Sequence, residues 1–408
     1  MKTVIVQGDG IASHVLPELS GQTPLQVAKT PNLDALAAQG EFGSLSISSE
    51  GFPLSSAVTQ VALLGNDPQK YCSGLGPFEA SSLDVILEAQ DVAFLCNLVT
   101  LGSPTGQAEN KKLGSHLILE DAEAGGIDSE EARELIDLLN EQLGSETIQF
   151  YTGEQHRHVM VWIGGSIHCH CHSPRVAQGQ SLESFLPSGQ GADVVKEVME
   201  ASRHLLRYHP VNQEREQAGL KPANCLWLWG PGRARALPKW QERWPIPSVI
   251  ISSSGIHRGI GKSAGIHTLN PQEYRDGHTQ GFKPYTQSCL TALESNDFVY
   301  VHVPMPYVEK KMDVQSIVKT IEQFDEEVIG SLLPSVADGS ELRLFVVCNQ
   351  DDLGAHDPTM FITPFAYSEK SRVRTQTTRM SFDEVHVAQG LKCDATRVAT
   401  RLLSPKAC

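Results

Sequence analysis

Apolar runs recur along this chain at Thr3 to Gln7, Ala93 to Cys96, His158 to Ile163, Cys225 to Trp229, Ser248 to Ser252, Phe298 to Val303 and Leu342 to Cys348. Each predicts a strand. Several lack the polar alternation of a half-solvated sheet, so they suit strands covered on both faces, as in a parallel sheet flanked by helices. Between them the pattern switches to a helical period. Asp128 and Glu131 are spaced as a capping box before an apolar stripe of Ala132, Leu135, Ile136, Leu139 and Leu143, which Gly144 closes. Asp313 precedes Val314, Ile317, Val318, Ile321, Phe324 and Val328 in the same way, and a third helix is predicted from Asp193 to Tyr208, ahead of Pro210. Strands alternating with helices define an α/β fold.

Composition shifts near Ser103 to Gly106 and again around Gly230 to Pro238. These mark the expected ends of an inserted lobe. Residues 1–105 and 236–408 then make the core and 106–235 a cap of about 130 residues, an ordinary domain size. The 408 residues are 40% hydrophobic and 20% charged, a globular composition. A formal charge of −15 argues against nucleic acid or an anionic membrane as the main ligand, since both demand a basic footprint. After Met1-Lys2 the apolar stretch is only Val4-Ile5-Val6 before Asp9, too short for a signal peptide or membrane span, so a cytoplasmic protein is expected. The nine cysteines are scattered and odd in number, which fits reduced thiols.

Residues 21 to 80 carry a specific resemblance. Gly21-Gln22-Thr23-Pro24-Leu25, Ala28-Lys29-Thr30-Pro31-Asn32-Leu33-Asp34, Leu63-Leu64-Gly65-Asn66-Asp67-Pro68 and Gly76-Pro77-Phe78-Glu79-Ala80 resemble archaeal-type cofactor-independent phosphoglycerate mutases, of the alkaline phosphatase superfamily. Colinear matches follow at Asp91 to Asn97, His156-Arg157, His209 to Asn212 with Glu214-Arg215, Pro222 to Asn224, Phe298 to Val303, Ile321 to Asp325, Ala355-His356 and Phe382 to Glu384, so nearly the full length is covered. The resemblance implies a three-layer α/β core with a central, mostly parallel sheet and an inserted α/β cap. It also implies a serine nucleophile flanked by two divalent cations (Mn, Mg or Zn) that polarise the serine and the transferring phosphoryl group.

Of the seven protein positions that supply that chemistry in the family, three match here. Asp9 stands at the first metal carboxylate, Ser56 at the nucleophile and His356 at the last imidazole. Where the family reads Ser-Asp-Thr-Ala-His, this chain reads Ser56-Ala57-Val58-Thr59-Gln60. Tyr307 and Lys311 replace an aspartate and a histidine, and Asn349-Gln350 replace an Asp-His pair. An amide offers an oxygen but no charge to neutralise a divalent cation. Lys311 would set an ammonium near the vacated ion position, and Asp351 or Asp352 would restore a carboxylate if the loop to His356 is shortened. Substrate contacts change in parallel. The family's arginines appear as Leu75, Leu95 and Trp229, and its Asp-Arg-Arg stretch as Asn110-Lys111-Lys112, which keeps charge without the guanidinium fork. Lys111, Lys112, His156 and Arg157 remain as expected substrate contacts.

Two features stand apart from the resemblance. His168-Cys169-His170-Cys171-His172 alternates metal-ligand types, and in an extended strand the histidines share one face and the thiols the other, as a metal site or as a half-buried strand. Ser252-Ser253-Ser254-Gly255 offers backbone amides to an anion if a helix starts there. Two functions stay open from the residues. One is a pseudoenzyme that needs no cofactor and binds a small phosphorylated metabolite or a protein partner. The other is a metal-dependent mutase or phosphohydrolase that works through Ser56 with Asp9, His356 and Asp351.

Overall fold

The chain opens with β1 (Lys2–Ala12), α1 (Pro31–Gln39), β2 (Glu41–Ser46) and α2 (Ser56–Leu63). It continues through β3 (Val92–Gly102), β4 (Ile118–Asp121), α3 (Ser129–Leu143), β5 (Ile148–Glu154), β6 (Arg157–Trp162), β7 (Cys169–His170), β8 (Ser188–Gly189), α4 (Ala192–Leu206) and β9 (Cys225–Gly232). The last part holds β10 (Ser248–Ile251), α5 (Gly255–Ser263), β11 (His267–Leu269), α6 (Lys283–Ala292), β12 (Phe298–Pro304), α7 (Val314–Phe324), α8 (Gly330–Ala337), β13 (Leu342–Gln350), β14 (Thr363–Glu369) and β15 (Leu391–Asp394). The structure is a computed structural model that describes residues 1–48, 54–103, 112–114, 116–271, 281–306, 312–337, 342–350, 363–369 and 381–404.

Two units divide the chain: Met1–Tyr71 with Ala236–Cys408, and Cys72–Arg235. The composition shift near Ser103 to Gly106 places the first junction after residue 105. In the structure β3 is hydrogen-bonded along its length to β6 and β9, so residues 72–105 fall in the second unit.

The first unit is built on a sheet ordered β11-β10-β12-β1-β13-β14-β2-β15. From β11 to β13 every pairing is parallel; β14 runs against both its neighbours, and β2 and β15 are parallel again. Alternation along the strands sorts two faces. Val4, Val6, Val301, Leu344 and Val346 join residues of α1, α6, α7 and α8 in one apolar cluster. Ile5, Gln7 and Asp9 are in register with Tyr300, His302 and Pro304 on one side and with Phe345, Val347 and Asn349 on the other, and this second face carries α2 and α5. The result is the expected three-layer α/β core with a mostly parallel central sheet.

Asp313 caps α7 by accepting from the Ser316 N–H at 3.0 Å. Beyond Phe324 the helix widens into a π-turn at Asp325–Ile329. That turn aims the Asp325 carboxylate at the start of α1, where it accepts from the backbone N–H groups of Asn32 at 3.0 Å and Leu33 at 2.7 Å. A helix start with no side-chain cap of its own is thereby capped across the fold.

The second unit has an antiparallel sheet in which β3 pairs with β4, β6 and β9, and β6 with β5. Helices α3 and α4 cover it through Leu135, Leu139, Val195 and Met199. The capping box of α3 forms as predicted: Asp128 accepts from Glu130 and Glu131 N–H, and Glu131 accepts from Asp128 N–H. Gly144 ends this helix in an extended conformation (φ −62°), so its freedom to adopt positive φ is not what stops it.

Candidate functional site

Because β10, β12, β1 and β13 are parallel, their carboxyl ends open on one edge of the sheet, where α/β folds place their ligands. Asp9, Pro304 and Asn349 stand level there, and Ser252 follows β10 directly. Helix α2 adds Ser56, Thr59 and Gln60 from the same face, and α5 adds His257.

A line of neutral groups runs beneath this edge. The Tyr300 hydroxyl donates to Gln7 Oε1. Gln7 Nε2 donates to the Ser56 carbonyl at 2.8 Å and to Asn349 Oδ1 at 3.2 Å, and Asn349 Nδ2 donates to Thr59 Oγ1 at 2.9 Å. All five residues are buried. Burial, and then the nearby Asp9 charge, push the Tyr300 phenol well above its ordinary pKa, so it stays a donor. The Asn349 amide is thus used at both ends, as acceptor and as donor.

Beside it lies a second arrangement. His302 is bracketed by Asp9 Oδ2, 3.4 Å from Nε2, and by Ser252 Oγ, 3.0 Å from Nδ1. Ser252 Oγ also accepts from the Ser254 N–H at 3.0 Å, so this hydroxyl is held between the turn after β10 and His302. The His257 ring stacks on His302 with centroids 3.4 Å apart and planes 12° from parallel. Burial, and then the neighbouring His302, hold His257 well below the ordinary histidine pKa, so His257 is neutral. Nδ1 of His257 is 3.0 Å from Ser254 Oγ, while Nε2 is buried with no hydrogen-bond partner among the described residues.

Of the predicted site residues, the structure brings Asp9 and Ser56 to this edge. Ser56 is the first residue of α2 and 7% exposed; the helix is capped by Ser55, whose hydroxyl accepts from Val58 N–H at 3.3 Å, so the Ser56 hydroxyl is not the cap. His356, Asp351, Tyr307, Lys311 and Lys111 lie outside the described residues. Lys112, His156 and Arg157 belong to the second unit. Lys112 is exposed, whereas His156 is buried and held well below its ordinary pKa, first by burial and then by Arg157, and so is neutral. The Ser252-Ser254 segment does precede a helix, α5, but Ser252 Oγ accepts from the Ser254 N–H and the Arg258 guanidinium binds the Ser252 and Ser253 carbonyls. Gln7, Thr59, His257 and His302 join the site although no sequence motif marks them as site residues. The alternation Tyr300-Val301-His302 was the one signal that put a polar group on the Gln7 face.

In the second unit, Leu95 and Trp229 are register partners on β3 and β9. A Cβ placed on Gly230 would lie 3.2 Å from Leu95 and 3.5 Å from Leu75. Leu75 and Leu95, two of the positions read as family arginines, thus both lie close to Gly230, and the indole of the third, Trp229, donates to Asn97 Oδ1 at 2.9 Å.

The described side chains do not fit a pair of divalent cations. Among the described residues no group of three or more His, Cys, Asp or Glu converges as a metal site requires. The position that would carry a carboxylate holds Asn349, whose amide is already committed to Gln7 and Thr59.

A solved Pyrococcus horikoshii protein superposes with a TM-score of 0.67 at 20% identity, covering 99% of this chain and 96% of its own. The cofactor-independent phosphoglycerate mutase of Thermoplasma acidophilum gives 0.54 at 23% identity, covering 99% and 100%. The fold is alkaline-phosphatase-like. The sequence profile described as 2,3-bisphosphoglycerate-independent phosphoglycerate mutase matches residues 37–212. A Geobacter sulfurreducens protein named a probable mutase of that kind is 34% identical over 352 residues, 86% of each chain, and the Methanosarcina mazei enzyme is 32% identical over 401 residues, 96% of each. This chain belongs to the 2,3-bisphosphoglycerate-independent phosphoglycerate mutase family.

Proposed function

We propose that this phosphoglycerate-mutase-like protein does not carry out two-metal phosphoryl transfer, and that it serves as a binding or regulatory scaffold for a small metabolite or a protein partner. The observation that carries the reading is the Asn349 amide held between Gln7 and Thr59, which puts a neutral group, hydrogen-bonded at both ends, where the family resemblance calls for a metal carboxylate. Leu75, Leu95 and Trp229 support it, because side chains without a guanidinium cannot give the planar, bidentate recognition of carboxylate and phosphate that arginines at those positions would.

The test is a mutase assay on 3-phosphoglycerate with manganese, magnesium or zinc supplied in turn. Turnover equal to that of a Ser56→Ala variant is expected for all three. Metal-dependent turnover that disappears in Ser56→Ala would overturn the proposal in favour of a metal-dependent mutase or phosphohydrolase working through Ser56.

A further inference from the structure

Cys169 lies in β7, the two-residue strand paired antiparallel with β8, and Cys171 follows just after it, in the second unit. His168, His170 and His172 are exposed, while Cys169 is 3% exposed and Cys171 is partly exposed. The two sulfur atoms are 3.5 Å apart, in contact. In a fully extended chain residues two apart are separated by about 6.6–7.2 Å at Cα, at the limit a disulfide spans. Strand β7 ends at His170, which releases Cys171 from the extended ladder and allows the side chains to converge.

We propose that Cys169 and Cys171 form a reversible dithiol–disulfide pair that reacts with low-molecular-weight disulfides. Cys171, the more accessible sulfur, attacks one sulfur of the small disulfide; a mixed disulfide forms and one small thiolate leaves, taking up the proton that Cys171 gives up. Cys169 then attacks the Cys171 sulfur, the bond to the second small thiol breaks, and that thiol leaves with the Cys169 proton. Two protein thiols are oxidised and the small disulfide is reduced to two thiols, so atoms and electrons balance. Cys169 suits the second attack. Its sulfur already lies 3.5 Å from that of Cys171, so the chain needs little rearrangement to close the bond.

The experiment incubates the full chain with glutathione disulfide, blocks remaining thiols by alkylation and weighs the peptide holding residues 169–171. The expected peptide is lighter by two hydrogens and reverts with dithiothreitol; in Cys169→Ser the same peptide keeps one glutathione on Cys171. Phenylarsine oxide, which bridges adjacent thiols, should protect both cysteines of the wild type from alkylation. A wild-type peptide alkylated at both sulfurs after glutathione disulfide, or one that accumulates a stable glutathione adduct, would overturn the proposal. Either wild-type result stands whether or not the variant folds.

Discussion

At the scale of single residues, the exchange of a carboxylate for an amide at position 349 is a change of role. Asn349 donates to Thr59 and accepts from Gln7, and it is 5% exposed. An Asn349→Asp variant keeps the acceptor, loses the donor and buries a charge beside Asp9. Burial raises the pKa of such a carboxyl above its unfolded value of about 3.9. Below the unfolded value both states are protonated and the electrostatic penalty is absent; it grows as pH rises toward the folded pKa and levels off above it. Urea unfolding should therefore show the variant about 1–3 kcal/mol less stable than wild type at pH 7, with the gap closing toward pH 4. A gap that stays constant over that range would mean that residue 349 does not sit in a closed, neutral network.

At the scale of elements, the sequence was most legible where local pattern decides structure. The apolar runs became strands and the Asp128–Glu131 spacing became a working capping box, because both depend on neighbours a few residues away. The family's landmark residues fixed Asp9 and Ser56 at the strand edge. What stayed hidden was long-range: Gln7 and Asn349 are 342 residues apart, the His257 ring on α5 stacks on His302 of β12, and Asp325 reaches α1 from a π-turn that no periodicity announces. That last contact tests how elements depend on each other. Asp325→Ala leaves the Asn32 and Leu33 N–H groups without their acceptor, a loss of about 1–3 kcal/mol. The expected measurement is a lower denaturation midpoint with an unchanged denaturant slope, since the surface exposed on unfolding stays the same. No shift would mean that water serves the start of α1 equally well.

At the scale of the whole molecule, the question is whether folding free energy is linked to metal. A ligand that binds only the folded state stabilises it by RT ln(1 + [L]/Kd), about 2.7 kcal/mol for one site at a concentration 100 times Kd. A complete two-metal centre would therefore make the unfolding midpoint climb with manganese and fall with chelator. The described part of this site offers Asp9 as a carboxylate but holds Asn349 in a neutral network, and Tyr300 and His257 are kept uncharged around it. The Tyr300–Gln7–Asn349–Thr59 line, whose groups already hydrogen-bond to one another, gains little from a doubly charged ion, which would compete with the Gln7–Asn349 contact for the Asn349 oxygen. The chain's formal charge of −15 attracts cations only diffusely, an effect that salt screens. Thermal unfolding in millimolar manganese, magnesium or zinc at constant ionic strength should accordingly match unfolding in chelator. A rise that saturates with metal concentration and vanishes in Asp9→Asn would show that the ligands outside the described residues complete a real centre, and the neutral network would then be its support rather than its replacement.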